Sequence, residues 1–187
     1  MNRRTFVVFL PMALTLARLC AVPLTIWLIL RGDYATAFWV FVAAGVTDAL
    51  DGALARWLDA RTVIGGYLDP LADKALLVSV YIALAAAGLL PLWLTILVVF
   101  RDLLIVGGVL LSHTLGQPMA MAPLPISRVN TVVQVLLAGL VLAMAGMGVA
   151  GRWIGDMMVI VAGTTTALSG AAYCAAWVRR FAGWEHS

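Results

Sequence analysis

Four aspartates stand close together in the chain, at spacings that sort them into two pairs. Asp48 and Asp51 are three residues apart, and Asp69 and Asp73 are four apart. On a helix, either spacing places both side chains of a pair on one face. Four carboxylates brought together repel unless a cation lies among them, and hard divalent ions prefer such oxygen ligands. The pattern predicts a site for Mg²⁺ or Mn²⁺.

The elements that must position these aspartates are membrane helices. Of the 187 residues, 64% are hydrophobic and only 11% are charged, and the mean hydropathy is +1.04. A water-soluble domain needs more charge than this, whereas a bilayer-spanning helix needs about 20 apolar residues. We therefore predict an all-α integral membrane bundle of six transmembrane helices, forming a single domain over residues 1–187. The predicted spans are residues 11–30, 35–57, 66–88, 92–113, 129–150 and 156–178.

The distribution of arginines predicts the orientation of the bundle in its membrane. Cytoplasmic loops are enriched in Lys and Arg. An N-terminus in the cytoplasm puts Arg31 and Arg152 outside, whereas seven arginines lie on the cytoplasmic side: Arg3, Arg4, Arg56, Arg61, Arg128, Arg179 and Arg180. The aspartates then lie on the cytoplasmic side of an inner (plasma) membrane. The net charge of +3 is explained by this topology and gives no indication of nucleic-acid binding.

The aspartates belong to a longer pattern with eight fixed positions, Asp48-x2-Asp51-Gly52-x2-Ala55-Arg56-x8-Gly65-x3-Asp69-x3-Asp73. This pattern resembles the signature of the CDP-alcohol phosphatidyltransferases at every fixed position. The resemblance implies that Asp48, Asp51 and Asp69 bind divalent metal, which holds the pyrophosphate of a CDP-linked lipid. It also implies that Asp73 contacts metal and acts as the general base on an acceptor hydroxyl. A homodimer is a further implication.

The same resemblance suggests which residues contact the CDP-lipid. Pro11-x3-Thr15-x2-Arg18 is similar to the first-helix pattern of the phosphatidylglycerophosphate and cardiolipin synthase branch, although Met12 replaces its usual Asn. The small residues of the signature would border the cytidine, and its arginine would approach the phosphates. The implied CDP-lipid contacts are Thr15, Arg18, Gly52, Ala55, Arg56 and Gly65.

Three later stretches bear on the acceptor alcohol. They are Arg101-Asp102, Ile126-Ser127-Arg128-Val129-Asn130-Thr131-x2-Gln134, and Thr164-Thr165-Thr166-Ala167 with Ser169 and Tyr173. All resemble the branch of the family that forms cardiolipin from CDP-diacylglycerol, with Arg128 in place of its usual Lys. The resemblance implies phosphatidylglycerol as acceptor, contacted by Arg101, Asp102, Arg128 and Asn130.

Other interpretations stay open at this point. Arg101 and Asp102 could be a local charge pair, and Arg128 could serve orientation alone. A phosphatidylglycerophosphate synthase, with glycerol 3-phosphate as acceptor, is the alternative within the family. An ion-coupled membrane transporter is the alternative outside it, because acids in membrane helices also relay ions. Transporters spread such acids over several helices, often with internal repeats, and here the acids cluster on two.

Overall fold

The computed structural model describes the backbone of residues 20–58, 65–114, 125–148 and 151–182. Side chains are described in these ranges except at 48–58, 65–73, 109–114, 152 and 180–182. Every regular element in the described ranges is a helix, which confirms the all-α prediction. The helices are α1 (Cys20–Leu30), α2 (Tyr34–Leu58), α3 (Gly65–Ala86), α4 (Leu92–Thr114), α5 (Pro125–Met147) and α6 (Arg152–Ala182).

The last two helices begin earlier than the sequence predicts. Helix α5 begins at Pro125 and α6 at Arg152, each four residues before the predicted start. Proline suits a first helical turn because the amide hydrogen that it lacks has no partner there. Apolar runs predict the membrane-spanning part of a helix and omit the polar turns at its ends.

A glycine turn explains the break between α1 and α2. Gly32 adopts a φ of 80°, a left-handed conformation that glycine enters without strain. The amide of Asp33 then donates to the carbonyl of Leu28 at 3.0 Å, which closes the end of α1. The Asp33 carboxylate accepts from the amide of Thr36 at 3.2 Å and so caps α2. Gly88, with a φ of 73°, ends α3 similarly.

The described helices fall into two compact units. The first contains α1, α2, α3 and the part of α5 from Ala138 onward. Tyr81 and Ile29 are among its fully buried side chains. Within this unit a Cβ added to Gly146 would lie 2.4 Å from the backbone nitrogen of Ala35. The glycine is therefore required for the close approach of α5 to α2.

The second unit contains α4, the part of α5 up to Leu137, and α6. Helices α4 and α6 run parallel. The first contact along α4, at Trp93, is with Gly163 of α6, and the later contact, at Gly108, is with the later residue Trp177. A Cβ on Gly163 would lie 2.8 Å from the Trp93 ring, and one on Gly108 only 1.6 Å from the Trp177 ring. Two glycines thus make room for two indoles along this helix pair.

Helix α4 buries a charged pair among apolar residues and exposes several large apolar side chains. Arg101 and Asp102 are buried, whereas the exposed residues include Leu92, Ile96, Phe100 and Leu103. Helix α5 and residues Trp153–Arg179 of α6 are long and apolar enough to cross a bilayer. These are features of a membrane protein. The count of six spans and the single domain over residues 1–187 stay predictions.

Candidate active site

The four aspartates of the predicted metal site lie on two helices. Asp48 and Asp51 belong to α2, and Asp69 and Asp73 belong to α3. The helical backbone confirms the periodicity from which each pair was placed on one face. The four side chains lie outside the described residues. Among the side chains described, no three His, Cys, Asp or Glu residues are grouped closely enough to hold a metal ion.

The residues predicted to contact the CDP-lipid also belong to this first part of the chain. Gly52, Ala55 and Arg56 lie on the backbone of α2, and Gly65 is the first residue of α3. The side chains of Ala55 and Arg56 lie outside the described residues. Thr15 and Arg18 lie there entirely. The CDP-lipid contacts therefore remain predictions.

Part of the predicted acceptor site lies among the described residues of the second unit. There the side chain of Arg101 forms hydrogen bonds with residues of α4, α5 and α6. Its Nη1 donates to Asp102 Oδ1 of α4 at 2.5 Å, and its Nη2 donates to Ser127 Oγ of α5 at 2.5 Å. Ser169 Oγ of α6 accepts from Nε at 3.2 Å and from Nη2 at 2.8 Å. The guanidinium carbon lies 6.0 Å from the centre of the Tyr173 ring. Because Arg101 is only 2% exposed, these partners replace water around its charge.

Beside this arginine, Asn130 of α5 makes a second group of polar contacts with α6. The Asn130 Oδ1 accepts from the hydroxyls of Thr165 and Thr166, both at 2.9 Å. Gln134 Nε2 donates to Thr166 Oγ1 at 3.1 Å. Asn130 and Thr166 are completely buried. The amide nitrogen of Asn130 is a buried atom with no hydrogen-bond partner in the described part of the molecule.

Together these buried side chains form what we call the polar column. It runs along the facing sides of α4, α5 and α6 and contains one ion pair, while its other members are hydroxyls and amides. Its residues are Arg101, Asp102, Ser127, Asn130, Gln134, Thr165, Thr166 and Ser169.

The four predicted acceptor contacts do not all lie in the column. Arg101, Asp102 and Asn130 are buried members of it, whereas Arg128 is exposed. Residues two apart on a helix point to different sides, which explains why Arg128 and Asn130 separate. The interpretation of Arg101 and Asp102 as an ion pair fits their contact, although the arginine also bonds to two other helices.

Five polar residues of the column were not assigned to the site from sequence, although the motifs included them: Ser127, Gln134, Thr165, Thr166 and Ser169. On α5, Ser127 and Gln134 stand three residues before and four after Asn130. On α6, Ser169 stands three after Thr166. These are spacings of residues that share one helix face. Polar residues recurring on one face of an apolar helix were the signal that could have identified them.

Comparison with known proteins agrees with these features. The family model for CDP-alcohol phosphatidyltransferase matches residues 8–177. The cardiolipin synthase (CMP-forming) of Rattus norvegicus is 37% identical over 150 residues, which cover 72% of this chain and 50% of that protein. The enzyme of the same name from Streptomyces coelicolor is 38% identical over 120 residues, covering 60% of this chain and 56% of that protein. A differently named relative is the chloroplastic CDP-diacylglycerol–glycerol-3-phosphate 3-phosphatidyltransferase 1 of Oryza sativa subsp. japonica. It is 36% identical over 177 residues, covering 84% of this chain and 54% of that protein.

The chain belongs to the CDP-alcohol phosphatidyltransferase family. The resemblance seen in the aspartate signature is thereby confirmed. Membership of an enzyme family favours a transferase over the ion-coupled transporter. The chain spans about half the length of the curated relatives that it matches.

Proposed function

We propose that this protein transfers a phosphatidyl group from CDP-diacylglycerol to phosphatidylglycerol, giving cardiolipin and CMP. Family membership supports the donor chemistry, and the eight matched positions of the aspartate signature supply its residues. The acceptor is supported chiefly by the polar column, whose charges nearly cancel. Two of the relatives described above carry the name cardiolipin synthase (CMP-forming).

On the donor side, the proposed metal ligands are Asp48, Asp51, Asp69 and Asp73. Their donor set consists of carboxylate oxygens alone, and it fits Mg²⁺ or Mn²⁺ rather than zinc. When bound, such an ion supplies positive charge that stabilises the phosphates. The CDP-lipid would lie against the small residues of the signature, with Arg56 contributing charge to its phosphates.

Asp73 is also the proposed general base. Its carboxylate accepts the proton of the acceptor hydroxyl. The hydroxyl oxygen then bonds to the lipid-side phosphorus of CDP-diacylglycerol, the bond from that phosphorus to the bridging oxygen breaks, and CMP leaves with its electrons. A phosphodiester links the two lipids in the product.

The acceptor side is proposed from the balance of charge in the polar column. Asp102 compensates the buried charge of Arg101 at 2.5 Å, so the pair contributes little net positive field. Arg128 is exposed, which leaves it free to meet an acceptor at the membrane surface. Phosphatidylglycerol carries a single phosphodiester charge, whereas glycerol 3-phosphate carries nearly two and favours a denser set of cations. A nearly neutral column suits the diester.

The arrangement in the membrane is part of the proposal. We infer six spans with the N-terminus and the aspartates toward the cytoplasm, in an inner (plasma) membrane, and a homodimer as in the family that the signature resembles. Helices α5 and α6 run antiparallel. Arg101 bonds to Ser127, early in α5, and to Ser169 of α6, whereas the later Asn130 of α5 bonds to the earlier Thr166 of α6. Antiparallel neighbours support spans that alternate in direction. Cysteine labelling near residues 61 and 152 tests the orientation. Labelling of both from the same side would overturn it.

Purified protein in mixed micelles tests the reaction. CDP-diacylglycerol is supplied with phosphatidylglycerol, glycerol 3-phosphate, inositol phosphate or serine, with Mg²⁺, with Mn²⁺ or with excess chelator. We expect cardiolipin and CMP in equal amounts from phosphatidylglycerol with either metal and neither product with chelator. The relative from Oryza sativa favours glycerol 3-phosphate as the alternative acceptor. Transfer to that alcohol, with none to phosphatidylglycerol, would establish the alternative.

A further inference from the structure

The oxygen and the nitrogen of the Asn130 side-chain amide differ in their hydrogen bonding. Its oxygen accepts hydrogen bonds from Thr165 and Thr166, each at 2.9 Å. Its nitrogen, which is equally buried, has no partner among the described residues. Native structures leave few buried donors unpaired, because such a group has lost water and gained nothing in return. The nitrogen is therefore a candidate to bind a ligand.

Neighbouring hydrogen bonds fix which end of the amide is free. Gln134 donates its Nε2 hydrogen to Thr166 Oγ1 at 3.1 Å. The single proton of that hydroxyl is then available for Asn130 Oδ1. The Thr165 hydroxyl has two acceptors for its single proton, the same amide oxygen at 2.9 Å and the backbone carbonyl of Ala162 at 3.2 Å. The hydrogen bond from Thr166 thereby holds the amide with its NH₂ group turned away from that hydroxyl.

An NH₂ group can only donate, so its ligand must offer an oxygen that accepts. The Asn130 amide lies about one helical turn from the Arg101 contacts, because Ser127 precedes it by three residues on α5. Ser169 likewise follows Thr166 by three on α6. A phosphate ester oxygen matches a donor placed beside this guanidinium, and reaching the buried nitrogen requires that oxygen to enter the bundle.

We propose that Asn130 Nδ2 donates a hydrogen bond to a phosphate oxygen of the acceptor, and that Gln134 and Thr166 are positioning residues which keep the amide in this orientation. This assignment rests on the proposed function in taking the acceptor to be a phosphate-bearing alcohol. It makes Asn130 a determinant of acceptor affinity and leaves the affinity for CDP-diacylglycerol to other residues.

The test compares Michaelis constants for the two lipids in the full-length protein. Asn130→Asp has the same size and still accepts from both threonines, but it replaces the donor with a carboxylate oxygen. We expect its acceptor KM to rise about tenfold or more, because a hydrogen bond to a charged group is lost. The KM for CDP-diacylglycerol should change less than about twofold. Thr166→Val should raise the acceptor KM about threefold, since the Thr165 hydroxyl remains within 2.9 Å of the amide oxygen.

Thr164→Val is the matched control, because the Thr164 hydroxyl is exposed and bonds to Ile160 of its own helix at 2.8 Å. It should leave both constants within about twofold. The double variant Asn130→Asp with Thr166→Val should be no worse than Asn130→Asp alone, because both changes act through one amide. An unchanged acceptor KM in Asn130→Asp, or an equal rise for both lipids, would overturn the assignment.

Two further comparisons apply if the variant does not fold or if the acceptor differs from the one proposed. If Asn130→Asp does not fold, the isosteric pair Thr166→Val and Thr164→Val decides by the same KM comparison, and equal constants in the two variants would refute the proposal. If the wild type uses glycerol 3-phosphate and not phosphatidylglycerol, the proposed acceptor is wrong. The KM comparison is then made with glycerol 3-phosphate, and the role of Asn130 stands or fails on that result.

Discussion

Two regions of the molecule place polar groups in apolar helices in different ways. One is the aspartate segment, residues 48–73, and the other is the polar column. The segment carries four carboxylates of like charge, and we propose that a cation from outside the chain lies among them and offsets their repulsion. In the column, Asp102 compensates Arg101, and hydroxyls and amides bond to one another. The first arrangement is suited to a highly charged pyrophosphate with its metal. The second is suited to a ligand with little charge.

The largest expected effect distinguishes the two regions by their dependence on metal. Asp48→Asn, Asp51→Asn and Asp69→Asn should each lower turnover about a thousandfold or more, because each removes a ligand from an ion worth several kcal/mol to the transition state. Release of CMP from CDP-diacylglycerol measures the loss across a titration of Mg²⁺ and Mn²⁺. Full activity of the wild type in excess chelator would show that the aspartates have another role.

Asp73→Asn tests the separation of chemistry from binding within the aspartate segment. The amide keeps the size of the side chain but cannot take the acceptor proton, so we expect a loss of about a hundredfold to ten-thousandfold in kcat. Binding of CDP-diacylglycerol, measured by calorimetry, should persist if the remaining aspartates hold metal. Near-normal turnover in this variant would remove Asp73 from the chemistry.

Much of the fold could be predicted from sequence, because apolar runs of membrane length leave the backbone little choice but a helix. Predicted and described helices agree except at polar ends such as Pro125 and Arg152. The donor site stays a prediction from sequence, and it could be made because carboxylates in apolar helices stand out and their spacing is specific. Convergence of the four carboxylates depends on how α2 and α3 pack, and spacing within a single helix does not specify that packing.

The polar column was only partly predictable. Arg101 and Asp102 stand out in the sequence because they are charged, and Asn130 stands out because it belongs to a motif. The partnership of Arg101 with Ser169 joins residues 68 apart in sequence, and no spacing rule within one helix reports such a contact. Serine and threonine also occur commonly in membrane helices as packing residues, so their type alone did not mark them as members of a site.

Arg101→Lys tests whether the column depends on the fork of the arginine. A lysine ammonium has no planar fork and cannot reproduce the contacts to Asp102, Ser127 and Ser169 together. We expect a loss of activity of about tenfold to a hundredfold and a lower melting temperature in detergent, because one buried charge becomes poorly paired. Arg101→Met should be more harmful than the double variant Arg101→Met with Asp102→Asn. If the single change is the milder one, the ion pair does not determine the stability of the column.

Helix packing beneath the column gives a smaller expected effect. Gly108→Ala forces a Cβ into the Trp177 ring, where the present spacing would be 1.6 Å. Overpacking of this kind costs about 1–3 kcal/mol, and thermal unfolding in detergent should report it. Gly107→Ala is the matched control, because a Cβ there meets nothing within 4 Å. Equal melting temperatures for the two variants would contradict the close packing of α4 on α6.

The smallest effect is expected at Arg128, which lies outside both the aspartate segment and the polar column. Arg128 is exposed, and a charged contact at an exposed position contributes about 1 kcal/mol or less. Arg128→Ala should therefore raise the KM for phosphatidylglycerol about threefold and leave that for CDP-diacylglycerol nearly unchanged. Because exposed charges are screened by salt, the difference between variant and wild type should shrink as ionic strength rises.

Arg179→Ala provides the control, since Arg179 is also exposed and is predicted to lie on the same side of the membrane. A loss of general surface charge would affect both variants equally, whereas an acceptor contact affects Arg128→Ala alone. Equal KM values for phosphatidylglycerol in the two variants would reduce Arg128 to a determinant of orientation. Recognition of the acceptor would then rest on the buried column, with Asn130 rather than an exposed cation as the group that meets the phosphate.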